Sequence, residues 1–88
     1  MNKILLIQSN YKANVITHLL QDYPEAINLH GKVPLERFEN KTLIFAGADR
    51  ASKQQLLSFL KQNLNNTIFL IANNIENVDY KIKNMCHT

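Results

Sequence analysis

The sequence predicts an α/β domain: a small three-layer sandwich in which helices flank a four-stranded, mostly parallel sheet. Three observations carry that expectation. Four short apolar runs recur along the chain: KILLIQ (3–8), AINLHG (26–31), TLIFAG (42–47) and TIFLIA (67–72). Three of them are nearly continuous, the pattern of strands buried on both faces. Amphipathic helical stretches separate the first run from the second and the third from the fourth, and that alternation implies parallel strands joined by crossovers. Size agrees with one such domain over residues 1–88. A chain of 88 residues buries roughly 60–65% of its unfolded surface, enough for one core. Hydrophobic residues at 45% and charged residues at 19% are ordinary globular composition.

Each element has its own local justification. KILLIQ is short and rich in branched residues, as strands are. In the following SNYKANVITHLLQDYP, residues Val15, Ile16, Leu19, Leu20 and Tyr23 fall on one helical stripe. Ser9 or Asn10 is placed to cap that helix, and Pro24 to end it. AINLHG is the second strand. The link GKVPLERFENK (31–41) contains Pro34 and is too short for a long helix; one turn around Leu35–Phe38 is expected to plug an edge. TLIFAG is the third strand. In ASKQQLLSFLKQNLNN the stripe is Leu56, Leu57, Phe59, Leu60 and Leu64, with Ser52 and Gln55 in capping-box spacing and Asp49 a rival cap. Asn65 and Asn66 supply the stop. TIFLIA is the fourth strand. Over residues 76–86, Ile75, Val78, Ile82 and Met85 space as a helix, whereas Val78, Tyr80 and Ile82 alternate as a strand. We read a helix, covering the face opposite the second helix. Right-handed crossovers then favour strand order 2-1-3-4, with 67–72 as an open edge through which two copies could pair.

This order of elements is similar to that of flavodoxin-like domains, a group that includes response-regulator receivers and phosphotransfer domains. The likeness is one of layout and brings no motif with it. Receivers carry an acidic pair after the first strand and a phosphoacceptor aspartate ending the third. Here those places hold Gln8-Ser9-Asn10 and Phe45-Ala46-Gly47. Phosphocysteine-type domains place cysteine after the first strand, where this chain has Gln8 and Ser9. No phosphotransfer activity is carried over.

Other chemistries are also argued against. Glycines occur only at 31 and 47, so no glycine-rich nucleotide loop can form. His18, His30 and His87 lack metal-site spacing, and neither a metal nor a cofactor is expected. Cys86 is the only cysteine, which precludes an internal disulfide. Ser9, His30 and Asp49 are the one hydrolase-like constellation, with no nucleophile-elbow sequence around Ser9; no residue is assigned a catalytic role. No run has the length of a membrane span. MNKILLIQSNYK reads as a strand entering a helix rather than a leader, so a cytoplasmic protein is expected.

What the sequence offers is a surface. In open α/β sheets, ligands bind beyond the carboxyl ends of the strands. The loops reaching that rim carry Ser9, Asn10, Lys12, His30, Lys32, Asp49, Arg50 and Lys53, with the reversal of strand order expected between the first and third strands. Helix N-termini and several cations there favour an anion, in keeping with a formal net charge of +3. The expectation is a non-enzymatic module docking an acidic protein or nucleic acid. Asn, Ile and Lys are abundant, residues with AT-rich codons, which suggests a bacterial or bacteriophage gene of that composition. Short, motif-poor products of mobile elements are often inhibitors or adaptors, so an accessory inhibitor of that type is expected. A phosphate- or nucleotide-binding sensor is the alternative.

Overall fold

The computed structural model describes residues 3–87. The chain runs β1 (Ile4–Gln8), α1 (Lys12–Asp22), β2 (Ile27–Asn28), β3 (Thr42–Ala46), α2 (Lys53–Gln62) and β4 (Thr67–Ala72). A 3-10 turn at Ile75–Asn77 and a short helix α3 (Tyr80–Met85) follow. All four strands are parallel, as expected of three-layer α/β architecture, but they lie in the order β1-β4-β3-β2 rather than 2-1-3-4.

Alternation along the strands splits the core into two layers. Leu43, Phe45, Ile68 and Leu70 pack with Leu56, Phe59 and Leu60 of α2 and with Val78 and Ile82. Ile44, Phe69 and Ile71 pack on the other face with Leu19 of α1, flanked by Val15, Ile16 and Leu20. Tyr23 closes that layer against the Phe69 ring at 5.2 Å. Each fully buried Leu, Ile or Phe side chain contributes about 1.5–3 kcal/mol.

The strand order and the position of α3 are one departure from expectation. The C-terminal segment is helical, as read, but α3 joins α2 rather than the opposite face. Among the described residues, that leaves α1 alone on its face. A lone helix buries most by sitting over the middle of the sheet, so the two central strands lie beneath it. Ile44, Phe69 and Ile71 are there fully or almost fully buried, while Leu5 and Ile7 of β1 are only half-buried. Both strand orders put the two crossover helices on opposite faces, so the handedness rule does not choose between them.

Placing β4 in the interior removes the open edge expected at 67–72, because β4 pairs with β1 on one side and β3 on the other. The edges are β2, two residues long, and β1. The β1 edge is partly closed by the segment after α3. His87 bridges Leu5 in parallel, its N–H donates to the Ile4 carbonyl at 2.7 Å, and Ile4 N–H donates to His87 Nδ1 at 3.3 Å.

Several local expectations are corrected. No helical turn forms at Leu35–Phe38: Val33 and Phe38 pack on the core while Leu35 is 102% exposed. Leu64 is exposed too, because α2 ends before it at the C-cap Asn63. Asn63 and Asn66 are buried instead, clamping the link to the end of α2. Asn63 Oδ1 accepts from Phe38 N–H at 2.7 Å and its Nδ2 donates to the Phe59 carbonyl. Asn66 Oδ1 accepts from Lys41 N–H, and its Nδ2 donates to the carbonyls of Phe38 and Asn63. Every polar atom of both amides has a partner, which makes their burial tolerable.

Candidate functional site

Parallel strands deliver all their trailing loops to one rim, so the rim expected from the sequence exists. Its layout follows from the strand order. α1 leaves β1 towards one face, whereas the chain leaving β4 goes to the other. The reversal of strand order therefore lies between β1 and β4, not between the first and third strands. The loops 9–11 and 73–79 border it.

On the β1 side, Ser9 N–H donates to the Ala72 carbonyl and ties the loop to β4. Ser9 Oγ accepts from Tyr11 N–H at 2.9 Å, forming a turn that presents Tyr11 as N-cap. Ser9 thus shapes the helix entry without capping it, and Asn10 is exposed. The α1 N-cap makes no side-chain hydrogen bond and the first turn has no acid, so its N–H groups keep their positive potential towards the rim. Lys12 opens the helix and lies across the sheet end. Its Nζ is 3.7 Å from the place a Cβ on Gly47 would occupy. The loops after β1 and β3 consequently meet over the end of β4, although the two strands are not neighbours.

On the β3 side, Gly47 and Ala48 N–H groups donate to the Ile71 carbonyl, and Arg50 N–H closes a turn onto the Gly47 carbonyl. Arg50 and Lys53 are exposed. Ser52 caps α2 through Gln55 N–H at 3.4 Å, which frees Asp49 from the capping role. Asp49 Oδ2 instead accepts from Asn74 N–H at 3.0 Å, joining the loops after β3 and β4. Asp49 Oδ1 and Asn73 Oδ1 are buried without a hydrogen-bond partner among the described residues. Asp49, Lys53, Glu76, Tyr80 and Lys83 border a shallow cleft of about 570 Å³.

The β2 loop lies at the far edge. His30 has φ 54° and Gly31 φ 70°, a tight left-handed turn fixed by His30 N–H donating to Asn28 Oδ1 at 2.9 Å. Lys32 follows, exposed, with its N–H on the Leu29 carbonyl. Ser9 and His30 thus leave the sheet on strands three spacings apart, roughly 14 Å, and this order gives no support to a hydrogen-bonded Ser9–His30–Asp49 triad.

The rim therefore carries Lys12 at the end of β1 and Arg50 and Lys53 after β3, linked where Lys12 reaches over Gly47, with Lys32 and His30 after the edge strand β2. Asp49 and Glu76 offset part of that charge. From the sequence, the run ANN (72–74) is placed to one side of the rim, with no role for Asn73 or Asn74. Their place beside the reversal depends on β4 being central. Among the described residues, no group of three His, Cys, Asp or Glu side chains is arranged to hold a metal ion, and no helix is long and apolar enough to cross a membrane. No protein-family model matches the chain, and no curated protein matches it either.

Proposed function

We propose that this protein is a non-enzymatic binding module that docks an acidic macromolecular surface on the rim formed by Lys12, Arg50 and Lys53. The observation that carries this reading is the reach of Lys12 over Gly47, which joins two cation-bearing loops into one patch. The uncapped start of α1 adds positive potential to the same place. A protein surface fits better than single-stranded nucleic acid. Tyr11 precedes Lys12 and Tyr80 lies in the Lys53 cleft, both exposed. That cleft also carries Asp49, Glu76 and Asp79, whereas single-strand binders interleave several aromatics with a basic groove. An accessory inhibitor acting by such docking accords with the small, motif-poor chain.

The test is capture from a lysate of the native host by wild-type chain and by the double reversal Lys12→Glu, Arg50→Glu. Species retained by the wild type should be lost with the variant while its melting temperature is unchanged. Equal retention removes the rim from the account. A second reading, a phosphate-ligand sensor, is favoured by the same lysine lying over a glycine turn. It predicts a rise in melting temperature with phosphorylated metabolites, reaching about 2.7 kcal/mol of stabilisation at a hundredfold excess over Kd.

A further inference from the structure

We propose that the segment after α3 is a pH-sensitive strap on the β1 edge, held closed by the neutral imidazole of His87. The chain leaves α3 and runs parallel to the start of β1, with His87 opposite Leu5. His87 N–H donates to the Ile4 carbonyl at 2.7 Å. In a continuous parallel ladder, Ile4 N–H would then donate to the carbonyl two residues before His87. That residue, Met85, is the last of α3, so the backbone pairing is incomplete. The imidazole fills the place: its Nδ1 accepts from Ile4 N–H at 3.3 Å. One residue thus closes both outward-facing backbone groups of Ile4, one with its main chain and the other with its ring. Ile4 begins β1, at the end of the sheet opposite the rim, so the strap leaves Lys12, Arg50 and Lys53 uncovered.

Only one form of the ring can make that bond. A peptide N–H donates and never accepts, so the nitrogen facing it carries no proton, and the proton of the neutral ring sits on Nε2. In the imidazolium both nitrogens are donors. Protonation therefore turns the acceptor at Nδ1 into a second donor aimed at Ile4 N–H, and the closure is lost. Histidine is the side chain that changes charge between about pH 5 and 8, and His87 is exposed, so protons reach it freely. The neighbouring charges act in the same direction. Neither β1 nor α3 carries an acid; the charged side chains on this side are Lys3, ahead of β1, and Lys81 and Lys83 of α3. Cys86, next to His87 in the chain, keeps its thiol proton on the Ile82 carbonyl. A charged ring therefore gains no counter-ion from the elements it touches. The strap is closed while the ring is neutral and opens as the pH falls, leaving the N–H and carbonyl of Ile4 as unpaired edge groups.

Amide hydrogen exchange on the full chain, followed by NMR between about pH 8 and pH 5 and expressed as protection factors, tests this. Protection of the Ile4 and His87 amides should fall together in acid by about fivefold or more, the loss expected for one net hydrogen bond. The Ile4 amide shift should move with the same midpoint as the His87 ring. His87→Asn keeps an acceptor, Oδ1, as many bonds from the backbone as Nδ1, but takes up no proton in this range. It should hold the strap closed at both ends of the range, and His87→Ala should leave it open at both. Full protection of the wild type in acid overturns the proposal. So does an equal acid loss in His87→Asn, or a His87→Ala chain as protected as the wild type when the ring is neutral. Should a variant lose its fold, the wild-type titration decides alone: an Ile4 shift that does not follow the ring removes the switch.

Discussion

Gly31 and Gly47 both adopt positive φ, +70° and +84°, but an added methyl would meet different neighbours. At Gly47 the nearest atom is the end of the flexible Lys12 side chain, 3.7 Å away. Gly47→Ala should therefore cost only the conformational penalty, about 1–2 kcal/mol. At Gly31 a Cβ would stand 3.0 Å from the Ala46 carbonyl oxygen, which is backbone and cannot yield cheaply. Gly31→Ala should cost more than Gly47→Ala, and thermal melts separate them at about 4–8 °C per kcal/mol. Cys86 offers a second residue-level test. Its thiol donates to the Ile82 carbonyl at 3.3 Å, and burial pushes its pKa up by disfavouring the thiolate. The unfolded chain then ionises first as pH rises. The contribution of this neutral thiol is complete below the ordinary thiol range, about 8.5, and is lost as pH climbs through the raised folded value. Cys86 should react slowly with a disulfide reagent at neutral pH, and Cys86→Ser should flatten the loss of stability above that range. A reaction as fast as that of the denatured chain would contradict the burial. Cationic residues such as Lys12 and Arg50 were legible in the sequence because their chemistry is local. The partner of Asp49 was not, because Asn74 lies 25 positions away and only the sheet brings it near.

Among the elements, α2 shows where periodicity succeeds and where it stops. Its buried stripe of Leu56, Phe59 and Leu60 and its Ser52 cap were readable from spacing. Its end was not. Asparagines at 63, 65 and 66 look alike in sequence, yet two are buried and bonded to the link while Asn65 is exposed. Removing either clamp leaves buried backbone groups unsatisfied, which costs about 1–3 kcal/mol per group. Asn63→Ala and Asn66→Ala should each destabilise by at least that much in urea titrations. Their double mutant should fall short of the sum, since both side chains hold Phe38, one through its N–H and the other through its carbonyl. Strict additivity would show that the two amides act independently. The C-terminal helix was legible from Ile82 and Met85, but not the face it covers, because the apolar spacing of a helix does not name its neighbour.

For the molecule as a whole, the all-parallel sheet is what made a rim inferable, since parallel strands end on one side whatever their order. The place of the reversal was not inferable. KILLIQ and TIFLIA are about equally apolar, so nothing local says that the former lies at an edge and the latter in the middle. The rim prediction belongs at this scale. Lys12 and Arg50 sit outside both core layers, so the double reversal should change stability by no more than about 0.5 kcal/mol even as it abolishes capture. A collapse in stability would mean that these cations help hold the domain together. The pairing of β1 with β4 also has a consequence for biosynthesis. Translation produces the first strand early, but its only full-length neighbour is made after both of the others. Until that neighbour leaves the ribosome, a sticky, uncharged ribbon of Ile, Leu and Gln is left waiting, and it is at this stage that a chaperone has most to gain from binding.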